Sequence, residues 1–274
     1  MTQPAPKAPT FAVGLDCGST YSKGVILDRE LRVLARDFLP SGWDFTTTGR
    51  NLLASLLKKA GLTQGPGPPG PKSQAPKIAA TGYGRLRLGH TDLVITEISC
   101  HGRGAEYLRP GVRTVIDIGG QDTKVITLSD GQVNDFLMND KCAAGTGRFL
   151  EMALDRLGLN WADLESKVPF NTDFRLNSVC AVFAESEMMG LLASGHPREL
   201  IIGGALASLA DRASALAARL KPQAPAVLTG GLSATPLLAR YLSAALKLEV
   251  EPLELGFYAG ALGAAWTLLN HKNP

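Results

Sequence analysis

The stretch that decides the fold is Asp16-Cys-Gly-Ser-Thr-Tyr-Ser-Lys23, which returns further along the chain as Asp117-Ile-Gly-Gly-Gln-Asp-Thr-Lys124. The aspartate, the first glycine and the lysine each recur with the residue number raised by 101 (16 to 117, 18 to 119, 23 to 124). Each copy follows a short apolar run, over 11–15 and 114–118, that we interpret as a buried strand. A repeat with this spacing predicts a duplicated structural unit.

The two copies also continue alike. A second strand is predicted over 24–27 and 125–128, and a third over 31–38 and 132–138. The third strand of the second copy follows the hairpin-type turn Asp130-Gly131. Helical patterns come next, over 49–60 and 147–157. The sequence therefore predicts a duplicated α/β fold, with one copy of the repeat in each lobe and a cleft between the lobes.

Proline and glycine mark the less regular parts of the chain. We expect a flexible Pro-rich tail over residues 1–10 and a Pro/Gly loop over 64–76. The first lobe is predicted to span 11–108 and to contain that loop, and the second lobe to span 109–255. The remaining residues, 256–274, are predicted to form a C-terminal helix that packs back on the first lobe.

The repeated turn has the composition of a phosphate-binding loop. Glycine allows backbone N–H groups to converge, and such a nest binds anionic oxygens. In the first turn the phosphate-binding residues are predicted to be Gly18, Ser19, Thr20 and Lys23. In the second turn they are predicted to be Gly119, Gly120 and Gln121. An aspartate at each strand end, Asp16 and Asp117, suits a hydrated Mg²⁺ ion. The alternative is a pair of ordinary hairpins.

A third glycine turn follows a predicted strand over 226–229. Gly230 and Gly231 allow a flat ligand to approach the backbone, and we predict that they contact the adenosine of a nucleotide. The alternative is a plain strand-to-helix turn. Other nucleotide motifs do not fit, because the chain has no GxxxxGK[ST] segment, and Gly145-Thr-Gly147 lacks the third glycine of GxGxxG.

Two of the four cysteines precede predicted helices. We expect Cys142 to lie immediately before the helix over 147–157, and Cys180 immediately before one over 181–192. A helix N-terminus stabilises a thiolate. Two thiolates do not complete a tetrahedral zinc site or an iron–sulfur site, but a symmetric dimer would supply four. The alternative is two buried structural cysteines. Cys17 and Cys100 are interpreted as structural.

Composition excludes several classes of protein. The 274 residues carry 28 Lys and Arg against 25 Asp and Glu, so the net charge of +3 does not indicate a nucleic-acid partner. Four cysteines are too few for a disulfide scaffold. The N-terminus has no apolar stretch typical of a signal peptide, and proline or glycine interrupts the uncharged runs at 222–239 and 255–270. We therefore expect a cytoplasmic protein with no membrane partner.

Several longer segments resemble one known family. The chain is similar to the activator component of 2-hydroxyacyl-CoA dehydratases, within the BadF/BadG/BcrA/BcrD ATPase family. The similarity extends over about residues 11–268. The segments that carry it are LDCGSTYSK (15–23), ATGYGR (80–85), EISCH (97–101), VIDIGGQDTKVI (115–126), MNDKCAAGTGRFLE (138–151), CAVFAESE (180–187), TGG (229–231) and AGALGA (259–264).

The resemblance implies an α/β, actin/hexokinase-like fold of two duplicated βββαβα lobes with a nucleotide cleft between them, and a homodimer. It further implies one [4Fe–4S] cluster per homodimer, ligated by Cys142 and Cys180 of both chains, with ATP/ADP and Mg²⁺ as the other cofactors. The implied activity is ATP hydrolysis that drives electron transfer. A ferredoxin or flavodoxin is the implied electron donor, and an iron–sulfur enzyme such as a 2-hydroxyacyl-CoA dehydratase is the acceptor. Asp16, Asp117 and Gln121 are the expected catalytic residues, with Gln121 positioning the attacking water.

Other functions remain open at this point. A benzoyl-CoA reductase or a double-cubane cluster protein is an alternative client, because the activator sequence does not contain the client's substrate pocket. A small-molecule kinase of the sugar-kinase type shares the fold but needs no paired cysteines. A nucleotide switch without redox chemistry is the non-enzymatic alternative.

Overall fold

The structure is a computed structural model that describes residues 11–62, 76–170, 174–176 and 180–271. The predicted tail at 1–10 and nearly all of the predicted Pro/Gly loop at 64–76 lie outside the described residues. The chain divides into two compact units. Unit 1 comprises the residues up to Tyr107 together with those from Tyr258 onward, and unit 2 comprises Leu108–Phe257.

Unit 1 is built on one five-stranded sheet. Its strand order is β3-β2-β1-β4-β5, in which β1 pairs antiparallel with β2 and parallel with β4. Helix α1 packs on β1, β2 and β3, and helix α8 packs on β1, β2 and β4. The elements of unit 1 are β1 (Phe11–Cys17), β2 (Tyr21–Asp28), β3 (Val33–Pro40), α1 (Phe45–Lys59), β4 (Lys77–Thr81), β5 (Leu93–Val94), α2 (Glu97–Leu108, ending at the boundary) and α8 (Ala259–Asn270).

Unit 2 contains a second five-stranded sheet. Its order is β10-β9-β6-β7-β8, with β6 antiparallel to β7 and parallel to β9. The elements of unit 2 are β6 (Thr114–Ile118), β7 (Thr123–Ser129), β8 (Gln132–Asn139), α3 (Gly147–Arg156), α4 (Trp161–Lys167), α5 (Ala181–Ala193), α6 (Arg198–Ala218), β9 (Ala226–Gly230), α7 (Pro236–Leu246) and β10 (Val250–Pro252).

The two sheets have the same topology. Read from the other edge, the second sheet is β8-β7-β6-β9-β10, which matches β3-β2-β1-β4-β5 strand for strand. The duplicated α/β fold predicted from the sequence is therefore confirmed. Among the described residues, the units differ in what joins the third and fourth strands, because unit 2 has the four helices α3 to α6 where unit 1 has α1. The chain between β8 and α6 contains both Cys142 and Cys180.

Local sequence signals explain where several elements begin. Asp44 caps α1 by accepting hydrogen bonds from the backbone N–H groups of Thr46 (3.0 Å) and Thr47 (3.2 Å). Asn160 and Asp163 form a reciprocal capping box at α4. In the hairpin between β7 and β8, Asp130 and Gly131 both have positive φ, at 50° and 69°, as a two-residue turn of the predicted kind requires.

Helix α8 lies unusually close to its neighbours in unit 1 because glycines face it. A Cβ on Gly14 of β1 would lie 2.0 Å from the carbonyl oxygen of Ala261, and one on Gly104 of α2 would lie 1.9 Å from that of Ala259. On α8 itself, a Cβ on Gly263 would lie 1.9 Å from the carbonyl oxygen of Cys100. These contacts bring the backbones of β1, α2 and α8 together behind the first turn.

Helix α6 is the one helix of the described residues that is long and apolar enough to cross a membrane by length and composition. Most of it is buried inside unit 2, where Ile201, Ile202, Leu206 and Leu209 belong to the main apolar cluster. Burial of this kind is typical of a core helix, so its apolar composition is explained by packing.

Candidate functional site: two glycine turns and a pair of cysteines

The first turn joins β1 to β2 and is tied to the end of β3. The hydroxyl of Ser41 donates to the carbonyl of Gly18 (2.6 Å), and the backbone N–H of Ser41 donates to that of Thr20 (3.0 Å). A Cβ on Gly18 would lie 2.9 Å from the carbonyl oxygen of Tyr21, so the tight turn requires glycine. Ser19 and Thr20 are half-buried at its tip.

Asp16 and Lys23 lie opposite each other at the base of this turn. They are register partners on β1 and β2, and Lys23 Nζ is 3.4 Å from Asp16 Oδ2. The carboxylate is buried, whereas the lysine side chain is 13% exposed. Asp16 Oδ1 has no hydrogen-bond partner among the described residues. A buried carboxylate oxygen without a protein partner is costly, and a hydrated cation would satisfy it.

Glycines surround this carboxylate. A Cβ on Gly82, just after β4, would lie 2.5 Å from Asp16 Oδ1, and one on Gly260 of α8 would lie 2.7 Å from Oδ2. The ATGYGR segment is thereby packed against the first turn, and the backbone N–H of Gly84 also donates to the carbonyl of Cys17 (2.8 Å). In the sequence this segment is notable only as part of the resemblance, and the structure gives it a position beside Asp16.

The second turn repeats the geometry of the first with a different charge balance. Lys124 Nζ is 3.4 Å from Asp117 Oδ2 and 2.8 Å from Asp122 Oδ2, and the lysine is completely buried. Asp117 Oδ1 accepts a hydrogen bond from the hydroxyl of Thr229 (2.8 Å). Sequence reasoning missed Asp122, although it lies inside the repeated motif. With two carboxylates for one ammonium group, this turn favours a cation.

Gly119 closes the second turn, because its N–H donates to the carbonyl of Asp122 (2.9 Å) and a Cβ on it would lie 2.4 Å from Asp122 Oδ1. Gly120 is half-buried, and Gln121 is exposed at the tip of the turn. An exposed amide side chain at this place is consistent with the water-positioning role expected for Gln121, which stays a prediction.

The glycines at 230 and 231 follow β9, next to Asp117. Gly230 has a φ of +86°, and a Cβ on it would lie 2.4 Å from the carbonyl oxygen of Ile118 and 2.9 Å from Asp117 Oδ1. Gly230 is therefore required by packing against β6. A Cβ on Gly231 would have the Ile118 carbonyl oxygen at 3.8 Å as its nearest neighbour, so Gly231 leaves open space for the predicted adenosine.

The second turn is hydrogen-bonded directly to the segment that follows Cys142. The N–H of Gly147, the first residue of α3, donates to the carbonyl of Gly119 (2.8 Å), and the N–H of Arg148 donates to that of Gly120 (3.1 Å). The hydroxyl of Thr123 donates to the carbonyl of Gly145. Three hydrogen bonds thus connect the turn to the chain within a few residues of the cysteine.

Cys142 and Cys180 have similar local structures. Each has an extended backbone (φ −121°, ψ 107° and φ −111°, ψ 140°), each is half-buried, and neither side chain caps a helix. Cys180 directly precedes α5, as predicted. Cys142 differs from the prediction, because a short 3-10 helix (Ala143–Gly145) separates it from α3. That 3-10 helix packs against α5, so the segments bearing the two cysteines are neighbours.

The donor set of one chain is incomplete for a metal. No group of three or more His, Cys, Asp or Glu residues is arranged to hold a metal ion within the described ranges. The paired cysteine segments supply two thiolates, which is half of a four-cysteine set. The residues fit a shared cluster in donor chemistry and in their partly exposed position.

The other two cysteines are of a different kind. Cys17 and Cys100 are fully buried in unit 1, and burial raises the pKa of each thiol to about 12. Thiolate is the reactive and metal-binding form of cysteine, so neither side chain is suited to oxidation or to ligation at neutral pH. This burial agrees with the structural role predicted for both.

Helix α5, which begins directly after Cys180, exposes an apolar surface. Ala184 and Met188 are buried against the rest of unit 2. The exposed apolar side chains of the helix are Val182, Phe183, Met189 and Leu192. An apolar surface next to half-buried cysteines is typical of an interaction site.

Comparison with known proteins agrees with this arrangement. The sequence matches the BadF/BadG/BcrA/BcrD ATPase family over residues 13–267, so the chain belongs to that family and is an ATP-hydrolysing protein. It is 38% identical over 257 residues to the 2-hydroxyisocaproyl-CoA dehydratase activator of Clostridioides difficile, which covers 93% of each chain. It is also 30% identical over 277 residues to a component of the benzoyl-CoA reductase of Thauera aromatica, covering 96% of this chain and 95% of that protein.

Solved structures confirm the fold. The activator of the 2-hydroxyisocaproyl-CoA dehydratase from Clostridium difficile, determined with bound ADPNP, superposes with a TM-score of 0.86 at 36% identity and covers 96% of this chain and 99% of that one. A glucokinase of the ROK family from Streptomyces griseus has a TM-score of 0.57 at 16% identity, covering 93% of this chain and 98% of that one. The predicted actin/hexokinase-like fold is therefore confirmed.

Proposed function

We propose that this protein is an ATP-driven electron-transfer activator of a 2-hydroxyacyl-CoA dehydratase. It takes one low-potential electron from a ferredoxin or flavodoxin and passes it to the iron–sulfur dehydratase when ATP is hydrolysed. The observation that carries the proposal is the hydrogen bonding of the second glycine turn to the start of α3, through Gly119 to Gly147 and Gly120 to Arg148. A change of ligand at that turn is transmitted to the segment bearing Cys142.

The nucleotide-binding residues follow from the geometry of each turn. In unit 1, Gly18, Ser19 and Thr20 offer backbone and hydroxyl donors to phosphate, and the partly exposed Lys23 adds a positive charge. Asp16 has one carboxylate oxygen without a partner among the described residues, which fits a hydrated Mg²⁺ ion.

In unit 2, Gly119, Gly120 and Gln121 form the second phosphate-binding turn, and Asp117 is the second magnesium-binding carboxylate. Gln121 orients the attacking water. Gly231, with Gly230 beside it, contacts adenosine. Within unit 2, the turn at Gly119 to Gln121 offers donors to phosphate and Gly231 leaves space for an adenosine, which together match the chemistry of ATP.

The cysteine pair and the surface of α5 together support a homodimer. Cys142 and Cys180 provide two thiolates per chain, and two chains related by a two-fold axis provide the four that a [4Fe–4S] cluster needs. Such a cluster supplies one-electron transfer. The exposed Val182 and Phe183 follow Cys180 closely, so an interface that brings the cysteines of two chains together also buries these side chains. In this proposal the protein is cytoplasmic, as its sequence predicts.

A benzoyl-CoA reductase is the alternative client. The 30% identity to the component of the Thauera aromatica benzoyl-CoA reductase, over nearly the whole of both chains, is the observation that favours it. Electron delivery to either purified client from the reduced protein, with and without ATP, separates the two.

Iron content tests the proposal directly. We expect anaerobically purified protein to contain about two iron atoms per chain, as one [4Fe–4S] cluster shared by two chains requires. Cys142→Ala and Cys180→Ala are each expected to lower the iron content at least about tenfold and to leave ATP binding within about threefold, because neither thiol lies in a glycine turn.

Cys100→Ala is the matched control, since its thiol is fully buried in unit 1. It is expected to keep the iron and to cost only about 1 kcal/mol of stability for the small cavity. A colourless wild-type protein that phosphorylates a sugar would instead support a kinase, and ATP-dependent client binding that survives Cys142→Ala would support a nucleotide switch.

A further inference from the structure

The two aspartates at the glycine turns are held in different ways. Asp117 Oδ1 accepts the Thr229 hydroxyl at 2.8 Å, and Thr229 is its register partner on β9. Thr81 on β4 is the corresponding register partner of Asp16. Within the described residues, the buried Asp16 Oδ1 forms no hydrogen bond, and the buried Thr81 hydroxyl interacts with the weakly bonding thiol of Cys100. The threonine that fixes the second carboxylate therefore does not fix the first.

A buried histidine faces the first carboxylate instead. His101 lies on α2 and is 2% exposed. Its Nε2 is 3.9 Å from Asp16 Oδ2 and 3.9 Å from Glu97 Oε1. These separations are longer than a direct hydrogen bond, and catalytic hydrogen bonds commonly tighten when the substrate binds.

Glycines at three positions allow His101 to lie this close to Asp16. A Cβ on Gly260 would lie 2.7 Å from Asp16 Oδ2 and 3.0 Å from His101 Nε2. Any other residue at this position of α8 would therefore push the carboxylate and the imidazole apart. Gly104 of α2 and Gly263 of α8 allow the two helix backbones to meet on either side of this position. The position of the imidazole next to Asp16 therefore depends on three glycines.

We propose that His101 is a positioning residue for ATP hydrolysis: its Nε2 holds Asp16 Oδ2, so that Oδ1 stays available for the magnesium–nucleotide complex. Lys23 and His101 then contact the same oxygen from two elements and fix the orientation of the carboxylate. Asp117 does not depend on a histidine for its orientation, because Thr229 donates to its Oδ1 and Lys124 lies beside its Oδ2. The inference rests on the proposed function, because it assigns a role at that ATPase site.

Two substitutions of similar length test the role. His101→Gln keeps an N–H donor at about the position of Nε2, and His101→Met fills the same space without a donor. Steady-state ATP hydrolysis by the dimeric holoprotein is measured for each over a range of Mg²⁺ and ATP concentrations, together with the thermal midpoint of unfolding. Glu97→Gln, which removes the other carboxylate near Nε2, is the control.

We expect His101→Met to lower kcat about tenfold or more, since small misplacements of a catalytic group have effects of this size, with the KM for ATP changed by less than about threefold. His101→Gln is expected to keep kcat within about threefold of the wild type, at a thermal midpoint like that of His101→Met. Glu97→Gln is expected to leave kcat unchanged. If His101→Met does not fold, His101→Asn replaces it, because its shorter amide does not reach Asp16.

Equal kcat values for the glutamine and methionine variants would overturn the inference while leaving the ATPase intact. Equal losses in His101→Met and Glu97→Gln would also overturn it, because they would assign the effect to Glu97. A wild-type protein without ATPase activity would contradict the proposed function itself, and the inference with it.

Discussion

At the scale of residues, substitutions of the two threonines next to the glycine turns are expected to differ in their effect on stability. Thr229→Val removes the hydroxyl that donates to the buried Asp117 Oδ1, and loss of a hydrogen bond to a charged acceptor costs about 1–3 kcal/mol. Thr81→Val removes a buried hydroxyl that has the thiol of Cys100 as a weak partner, so it is expected to be nearly neutral or stabilising.

Urea denaturation of the two variants measures the difference. The pair is matched, because each threonine occupies the same position of a parallel strand and each is replaced by the same isosteric residue. A loss in Thr81→Val as large as that in Thr229→Val would contradict the distinction between the two aspartates.

Sequence reasoning identified the aspartates and Lys23 but not His101 or the two threonines beside the aspartates. Asp16, Gly18 and Lys23 repeat at a fixed offset, so the motif is visible in the chain. His101 is distant in sequence from Asp16 and has no recurring counterpart to mark it. The Thr81-Gly82 and Thr229-Gly230 pairs are equivalent in the two sheets, yet their offsets from the aspartates differ, because unit 2 has four helices between its third and fourth strands.

At the scale of elements, the sequence predicts the features that depend on neighbouring residues and misses those that depend on distant ones. The strand over 114–118 agrees with the structure residue for residue, and the other predicted strands differ by a few residues at their ends, because apolar periodicity is a local property. The start of α1 at Phe45, four residues before the predicted start, follows from the Asp44 cap. The close approach of α2, β1 and α8 was not predictable, since a glycine in sequence does not say which backbone it faces.

The close contact between Gly104 of α2 and the backbone of α8 predicts the effect of a larger residue at position 104. A Cβ on Gly104 would lie 1.9 Å from the carbonyl oxygen of Ala259, so Gly104→Ala must push α2 and α8 apart. We expect a loss of about 1–3 kcal/mol in unfolding free energy, the usual range for overpacking, and a weaker affinity for ATP because Asp16 lies in the same packing.

Gly190 provides the control for that prediction. It also lies within a helix, α5, but a Cβ on it would have no neighbouring atom within 4 Å. Gly190→Ala is expected to raise the unfolding free energy by up to about 1 kcal/mol, because alanine has the higher helix propensity. Thermal unfolding of both variants checks the opposite signs, and destabilisation of both would mean that helix context rather than contact with α8 decides the effect.

At the scale of the whole molecule, duplication explains why each unit has a glycine turn, and an insertion in the second copy explains where the paired cysteines lie. The two sheets share one topology and each presents a glycine turn with an aspartate and a lysine. Only the second copy contains α3 to α6, and the chain from β8 to α6 holds both cysteines that a shared cluster would use. The hydrogen bonds from Gly147 and Arg148 to the second turn connect the duplicated part to the added part within one unit.

In the proposed dimer, a single charge placed on α5 is expected to dissociate the two chains without unfolding either of them. Phe183 is 67% exposed and follows Cys180 by three residues, so Phe183→Asp costs the single chain little. In a dimer formed through α5, the new carboxylate would be buried without a partner, which is strongly unfavourable. Light scattering is expected to show a monomer, and the iron content is expected to fall with it, because two thiolates per chain do not complete a four-cysteine site.

The matched control is Trp43→Asp, which changes an even more exposed aromatic residue (92%) in unit 1 and is expected to leave both the dimer and its iron intact. The two readouts of Phe183→Asp test different steps of the argument. A dimer that persists with its iron would place the interface elsewhere on the chain. A monomer that keeps its iron would show that one chain completes the cluster site, and the role of Cys142 and Cys180 as half of a shared set would be wrong.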